Sequence, residues 1–600
     1  MKIKVSDYIA QFLFENGITD CFTVVGGGAM HLNDSFGHFE GIRCTYNHHE
    51  QASAIAAEAY YRIHNKLALC CVTTGPGGTN AITGVVGAWL DSIPMLVISG
   101  QVRYDTTARS TSLPIRAMGD QEFDICNSVS CMTKYCEMVT DPLSIKYHLQ
   151  KALYLAKEGR PGPSWLDIPL NVQGAYIETD DLTEFISPKT SYEADDSDID
   201  AVIERLAAAK RPVIIAGSAI RTSGAYDGFV SLVNNLCVPV TTCWNSIDLI
   251  ESNNPLYVGR GGIMGDRAGN FAVQNADFVL SLGSRLSIRQ VGYNYKTWAR
   301  EAYVAAVDID LAELKKPTLH IDLPICADVK SVIEKLNDKI SKPLGDYTEW
   351  TSRCAEWKRN YPVVQQKHFD DTDKANVYAF IKTLSSSLDE NAVTVVGNGS
   401  ACVVGSHAYE IKSNSRFIIN SAIASMGYDL PAAIGAARAA DREIICISGD
   451  GSIQMNLQEL QTIKTNKLPI KIFVINNSGY HSIRQTQTNL FGGKLVGIGP
   501  ESSDLEFPPL SKLAEAYSID YLSCDSNETL GEFVKAALSK KGALIAEVFV
   551  GTKQSFEPKS SAKKLPDGTL VSPPLEDMSP FLPDEEMDRI MIIPRVKGDE

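Results

Sequence analysis

Short apolar runs that end on glycine or an acid recur along this chain, each parted from the next by a stretch of helical period. Residues 67–72 and 95–99, then 212–217, 278–283 and 304–310, then 444–447 and 470–475 are continuous rather than alternating in hydrophobicity. That is the pattern of strands covered on both faces, and its alternation with amphipathic segments predicts parallel sheets flanked by helices. Polar stretches at 187–196 and around 342–346 have linker composition. The expected organisation is α/β, with three doubly wound parallel-sheet domains over 1–175, 190–340 and 365–552. An arm or lid should follow over 553–600, where Pro, Ser, Lys and acids dominate and periodicity fades.

Candidate chemistry gathers at two of these strand ends. Gly449-Asp450-Gly451-Ser452 closes the run 444–447, Asn476-Asn477 closes the run 470–475, and 24 residues separate Gly451 from Asn476. Between them Met455, Leu457, Leu460 and Ile463 fall on one helical face, so a strand-helix-strand unit is expected with both polar clusters at the ligand-binding edge of the sheet. An Asp carboxylate, an Asn amide oxygen and a loop carbonyl are hard oxygen donors suited to Mg²⁺, and glycines let backbone approach phosphates. Either short motif alone reads as a turn; their combination in this setting carries the signal.

Composition narrows the class. Six hundred residues, 44% hydrophobic, provide for three or four domains, while a net charge of −16 argues against general nucleic-acid binding and against anionic membrane surfaces. Fourteen cysteines are scattered without paired CxxC spacing, and the N-terminus enters a helical pattern without a signal-peptide core, so a reducing, cytoplasmic setting is expected. No apolar run approaches a bilayer-spanning length.

The GDGS and NN pair resembles the diphosphate-binding signature of thiamine-diphosphate enzymes. Further matches are His49-Glu50-Gln51 before an Ala-rich helix, Gly75-Pro76-Gly77-Gly78-Thr79-Asn80 after a strand, and the segments 159–169, 425–435 and 455–460. To about residue 550 the chain is similar to catalytic (large) subunits of the acetolactate synthase branch. The resemblance implies pyrimidine-binding, central and diphosphate-binding domains, with thiamine diphosphate and Mg²⁺ as cofactors. It puts Asp450, Asn477 and the main-chain oxygen of Gly479 on the metal. Gly399, Ser400, Ala401, Gly449, Gly451 and Ser452 fall beside the diphosphate, and the Ala424 carbonyl on the aminopyrimidine. Met426 would bend the cofactor, Glu50 would share a proton with the aminopyrimidine, and Gln121 and Gly27 would border the reacting centre. The implied reaction is decarboxylation of a 2-oxo acid, pyruvate, with carboligation to an acceptor carbonyl, at sites formed between subunits of a homodimer or homotetramer.

Arg160, Gly217, Gly283, Arg285, Asp308, Ile309, Asp328 and Val329 match positions where that branch contacts FAD, so FAD is expected in the central domain; an ADP-type or empty pocket is the alternative. Arg289 matches an arginine that grips the acceptor carboxylate, Thr486 stands where a tryptophan shapes the acceptor pocket, and His481 adds a polar group nearby. Arg484 is expected at the surface. These departures keep open transfer of a pyruvate-derived acetyl group to a keto sugar nucleotide, or simple 2-oxo acid decarboxylation. A non-enzymatic subunit would have no need of Glu50, Asp450 and Asn477 together.

Overall fold

The computed structural model of the chain describes residues 1–564 and 568–596; of the expected arm, 565–567 and 597–600 lie outside the described residues. Three six-stranded sheets, every pairing in them parallel, form three domains. The N-terminal sheet runs in the order Arg43–Tyr46, Asp20–Thr23, Leu69–Val72, Met95–Gln101, Pro163–Pro169, Tyr135–Met138. The C-terminal sheet runs Arg416–Ile419, Val393–Val396, Ile444–Gly449, Ile470–Asn476, Leu544–Phe549, Asp520–Cys524. Counted in chain order within each sheet, both read 2-1-3-4-6-5. The central sheet, Tyr257–Arg260, Val240–Thr242, Pro212–Ala216, Phe278–Leu282, Tyr303–Asp308, Leu323–Cys326, reads 3-2-1-4-5-6, the order of dinucleotide-binding folds. The two outer domains are therefore topological twins, and the middle one is different.

The strands form where the apolar runs predict them and are buried almost throughout. The segment between the two strand-end motifs departs from one continuous helix: Ser452–Asn456 is a 3₁₀ turn and Glu459–Thr465 the α-helix. Three residues per turn rotates Met455 out of the buried stripe, leaving it 44% exposed while Leu460 and Ile463 are fully buried.

Outer domains meet within the chain through the Ala-rich helices Glu50–His64 and Asp429–Ala440, whose small side chains allow a close crossing and merge the two cores into one. Buried at that crossing, Arg62 is bound to Glu58 and, at 2.8 Å, to Asp91, while the Tyr428 hydroxyl donates to Glu58 at 2.8 Å. The C-terminal arm is no loose tail. Leu575, Met587, Ile590 and Ile593 enter the central-domain core beside Trp350 and Trp357, and Gln274 and Arg267 bind the arm through Glu576 and the Met578 carbonyl. No described helix is long and apolar enough to cross a membrane.

Candidate active site

Strand pairing brings the two motifs together. Ile444–Gly449 and Ile470–Asn476 are neighbours in register, Gly449 opposite Ile475, so Asp450 and Asn477 leave the sheet side by side. Asp450 is almost wholly buried; its Oδ2 accepts the Gly479 N–H at 2.8 Å and its Oδ1 the Gly451 N–H at 3.1 Å. Burial pushes its carboxyl up to about 7 against those two amides, so a nearby cation is what would keep it ionised. Asn477 is fixed by its own amide: Nδ2 donates to Ser400 Oγ at 2.9 Å, which leaves Oδ1 buried with no hydrogen-bond partner. A buried acceptor held bare beside a buried carboxylate is costly unless a ligand completes it. This donor set fits Mg²⁺.

Around these two lie the other expected diphosphate contacts. Gly399, at φ 69°, opens the helix Ser400–Ala408, whose first amides point outward as anion donors. Ser452 Oγ donates to Asp429 Oδ2 at 2.9 Å and accepts the Gly427 N–H at 3.1 Å, which ties the metal-side turn to the segment carrying Met426, itself half-buried. The Ala424 carbonyl accepts Asn398 Nδ2 at 2.7 Å and so has one lone pair left for a further donor. Ala401 is buried, and a Cβ on Gly449 would meet nothing within 4 Å.

On the N-terminal domain, Glu50 is the first residue of its helix, capped by His49, and is buried. Asn80 Nδ2 donates to its Oε2 at 3.0 Å. Gly27 faces open space, as a residue bordering a reacting centre requires. Gln121 is exposed and strained at φ 61°, and its carbonyl packs so closely on Gly75 that any Cβ there would sit 2.5 Å from it. A buried chain supports that loop: Asp167 accepts from Ser99 Oγ at 2.6 Å and Gln101 Nε2 at 3.0 Å, and Thr74 donates to Gln101 Oε1 at 2.7 Å. None of Asp167, Ser99 or Gln101 stands out in the sequence, because each lies within an ordinary apolar strand.

A cleft lies at the C-terminal ends of the central strands, where the strand order reverses between Pro212–Ala216 and Phe278–Leu282. Gly283, Arg285, Asp308, Ile309, Asp328 and Val329 all line it, together with Arg160 and Arg289. Gly217 does not line it: it packs directly against the Gly283 carbonyl, a close approach that shapes the cleft floor. Most polar groups of the cleft are already satisfied. Arg160 pairs with Asp310 at 3.1 Å and Glu313 at 2.6 Å, the Asp308 carboxylate accepts the Asp310 N–H, the Asp328 carboxylate accepts the Lys330 N–H, and the Arg285 carbonyl is bound by Lys316. Arg289 differs. Its guanidinium lies 4.7 Å above the Trp244 ring and has no carboxylate partner among the described residues.

Two expected acceptor residues sit elsewhere. His481 is buried, its Nε2 joining the helix His481–Leu490 to the start of the arm through the Gln554 carbonyl at 2.6 Å and its Nδ1 against Arg484 of the same helix, so both ring nitrogens are engaged. It offers no free nitrogen to a substrate. Thr486 is exposed on the same helix and donates to the Ser482 carbonyl. Arg484, expected at the surface, is buried.

Two like-ordered sheets, one edge presenting a metal-type donor set and the other a buried helix-start glutamate, flank a dinucleotide-type domain. Family profiles agree with that division: the thiamine pyrophosphate enzyme N-terminal TPP binding domain matches 3–127, the central domain 199–336 and the C-terminal TPP binding domain 397–548. The chain belongs to the thiamine pyrophosphate enzyme family. Within it, the chain is similar to the acetolactate synthase large subunit of Lactococcus lactis subsp. lactis, 31% identical over 561 residues that cover 92% of this chain and 93% of that protein. It is also 30% identical to acetolactate synthase 1, chloroplastic, of Nicotiana tabacum, over 91% of this chain and 82% of that one, and 30% identical to the isozyme 1 large subunit of Escherichia coli, over 85% and 91%. The resemblance carried by the sequence motifs is thereby borne out.

Proposed function

We propose that the protein is a thiamine-diphosphate- and Mg²⁺-dependent carboligase that decarboxylates pyruvate and joins the two-carbon fragment to an acceptor carbonyl. The observation that carries this reading is the pairing of the buried Asp450 carboxylate with the bare, Ser400-anchored Asn477 Oδ1. When bound, the cofactor supplies a nucleophilic thiazolium carbon and the electron sink for CO₂ release. The rest of the work falls to the chain. Asp450, Asn477 Oδ1 and the Gly479 carbonyl hold Mg²⁺, and Gly399, Ser400 and Ala401 give the diphosphate main-chain donors at a helix start. Glu50, oriented by Asn80, holds a proton toward the aminopyrimidine ring nitrogen. Met426 packs beneath the cofactor, and Gly27 and Gln121 border the substrate. Arg289, stacked on Trp244 and without a carboxylate partner among the described residues, binds the acceptor carboxylate through its planar fork. FAD is our reading for the central cleft, supported by its place at the reversal of a 3-2-1-4-5-6 sheet. Sites shared between subunits of a homodimer or homotetramer, and a cytoplasmic location, complete it.

Proton NMR of products from purified protein with thiamine diphosphate, Mg²⁺ and pyruvate tests the reading. Acetolactate is expected. Acetaldehyde or CO₂ alone would exclude pyruvate as acceptor, and no turnover of pyruvate would remove the donor assignment. A flavin absorption band in the freshly purified protein tests the central cleft.

A further inference from the structure

The loop Asn477-Ser478-Gly479 carries two of the three proposed metal donors, yet two of its three residues have positive φ. Ser478 has φ 57° and Gly479 φ 132°, and a Cβ on Gly479 would run into the Ile498 carbonyl. A conformation this uncommon for a serine persists only where its surroundings fix it. One buried side chain does so. Arg484, 5% exposed and one turn into the helix His481–Leu490, sends Nη1 to the Asn477 carbonyl at 3.0 Å and Nη2 to the Ser478 carbonyl at 2.7 Å. Its Nε donates to Glu501 Oε2 at 2.9 Å. Two consecutive carbonyls taken by one planar fork turn that side of the loop toward the helix. The opposite side then presents the Asn477 side chain, and the Gly479 N–H reaches Asp450 Oδ2 at 2.8 Å.

We propose that Arg484 is a positioning residue of the metal site, a guanidinium clamp that fixes the backbone of the Asn477–Gly479 loop so that the Asn477 oxygen and the Gly479 carbonyl converge on the cation. The proposal rests on the metal reading given above. A guanidinium near a divalent cation repels it directly, and the ion pair with Glu501 offsets that repulsion only in part, since Glu501 is half-exposed and screened. Arg484→Met removes charge and clamp together, whereas Arg484→Lys keeps the charge, so a loss of metal affinity in the lysine variant reports the clamp.

Titration calorimetry of the apoprotein with Mg²⁺ at saturating thiamine diphosphate, and with thiamine diphosphate at saturating Mg²⁺, is the test. Arg484→Met is expected to weaken Mg²⁺ about 10- to 100-fold, the range seen when groups supporting metal ligands are removed. kcat at saturating Mg²⁺ and cofactor should return to within about threefold of wild type, because the clamp touches no reacting atom. Arg484→Lys, which keeps the charge but reaches one carbonyl at a time, should fall between the two and carries the test if the methionine variant does not fold. Mg²⁺ affinity within twofold of wild type, or tighter, in whichever of these variants folds overturns the clamp. Absence of any Mg²⁺-dependent cofactor binding in the wild-type protein overturns instead the metal reading on which it rests.

Discussion

The N- and C-terminal domains share one strand order, and each buries a carboxyl that burial pushes up to about 7, Asp167 in the first and Asp450 in the second. Each carboxyl accepts two hydrogen bonds. Their neighbourhoods part company beyond that. Asp167 is enclosed by side chains that are themselves bonded: Ser99 also accepts the Trp165 indole N–H at 2.8 Å, and Gln101 accepts from Thr74 and the Val102 amide. Asp450 is enclosed by glycine amides and by an asparagine oxygen left bare. The same raised proton affinity thus marks a support beam in one domain and a proposed metal donor in the other. What separates them is whether the second layer of partners closes the network or leaves an acceptor unused.

Substitutions can break or sharpen that contrast. The largest effect is expected where the N-terminal domain supplies chemistry: Glu50→Gln should lower CO₂ release by about 10²- to 10⁴-fold, with thiamine diphosphate still bound by calorimetry. Full turnover in that variant would take Glu50 out of the reaction. Next, Asp450→Ala should weaken Mg²⁺-dependent cofactor binding by about 100-fold or more. An unchanged cofactor affinity would place the metal elsewhere. Arg289→Gln should raise the half-saturating concentration of the acceptor about tenfold, the worth of one charge-assisted contact, and leave cofactor affinity alone.

Asp167→Asn addresses the other carboxyl and reads stability. A carboxyl whose folded value lies near 7, well above that of the unfolded chain, holds its proton more tightly when folded. Stability from this group is therefore full below about pH 4 and lost as pH rises toward 7, by at most roughly 4 kcal/mol. Denaturant titrations across that window should show the fall in wild type and a flatter profile in Asp167→Asn. Equal slopes in the two proteins would mean that Asp167 is not the group responsible.

Much of the site was legible because it is local. Gly449 to Ser452 and Asn476-Asn477 each terminate an apolar run, and two such runs joined by one helix commonly become neighbours in a parallel sheet, so a donor pair can be read from spacing. The proposed metal donors, the helix-start Glu50 and the glycine turns of the central cleft all come from motifs of that kind. Arg484 was expected at the surface and His481 beside the acceptor, because a helix of mixed polarity fits a solvated or ligand-facing side; only the docking of residues 498–501 and 554–556 against that helix buries them.

The sequence by itself determined the three parallel sheets, the strand ends that carry Asp450 and Asn477 and the family to which the chain belongs, since burial on both faces and glycine-bearing turns leave marks within a few residues. The tertiary structure decided the rest: the twin order of the outer sheets, the arm packed into the central core, Arg289 stacked on Trp244 with no counter-ion among the described residues, and the Arg484 guanidinium on the Asn477 and Ser478 carbonyls. Each of these depends on which distant segments meet. A buried arginine and a solvated one are the same letter until the chain closes around it.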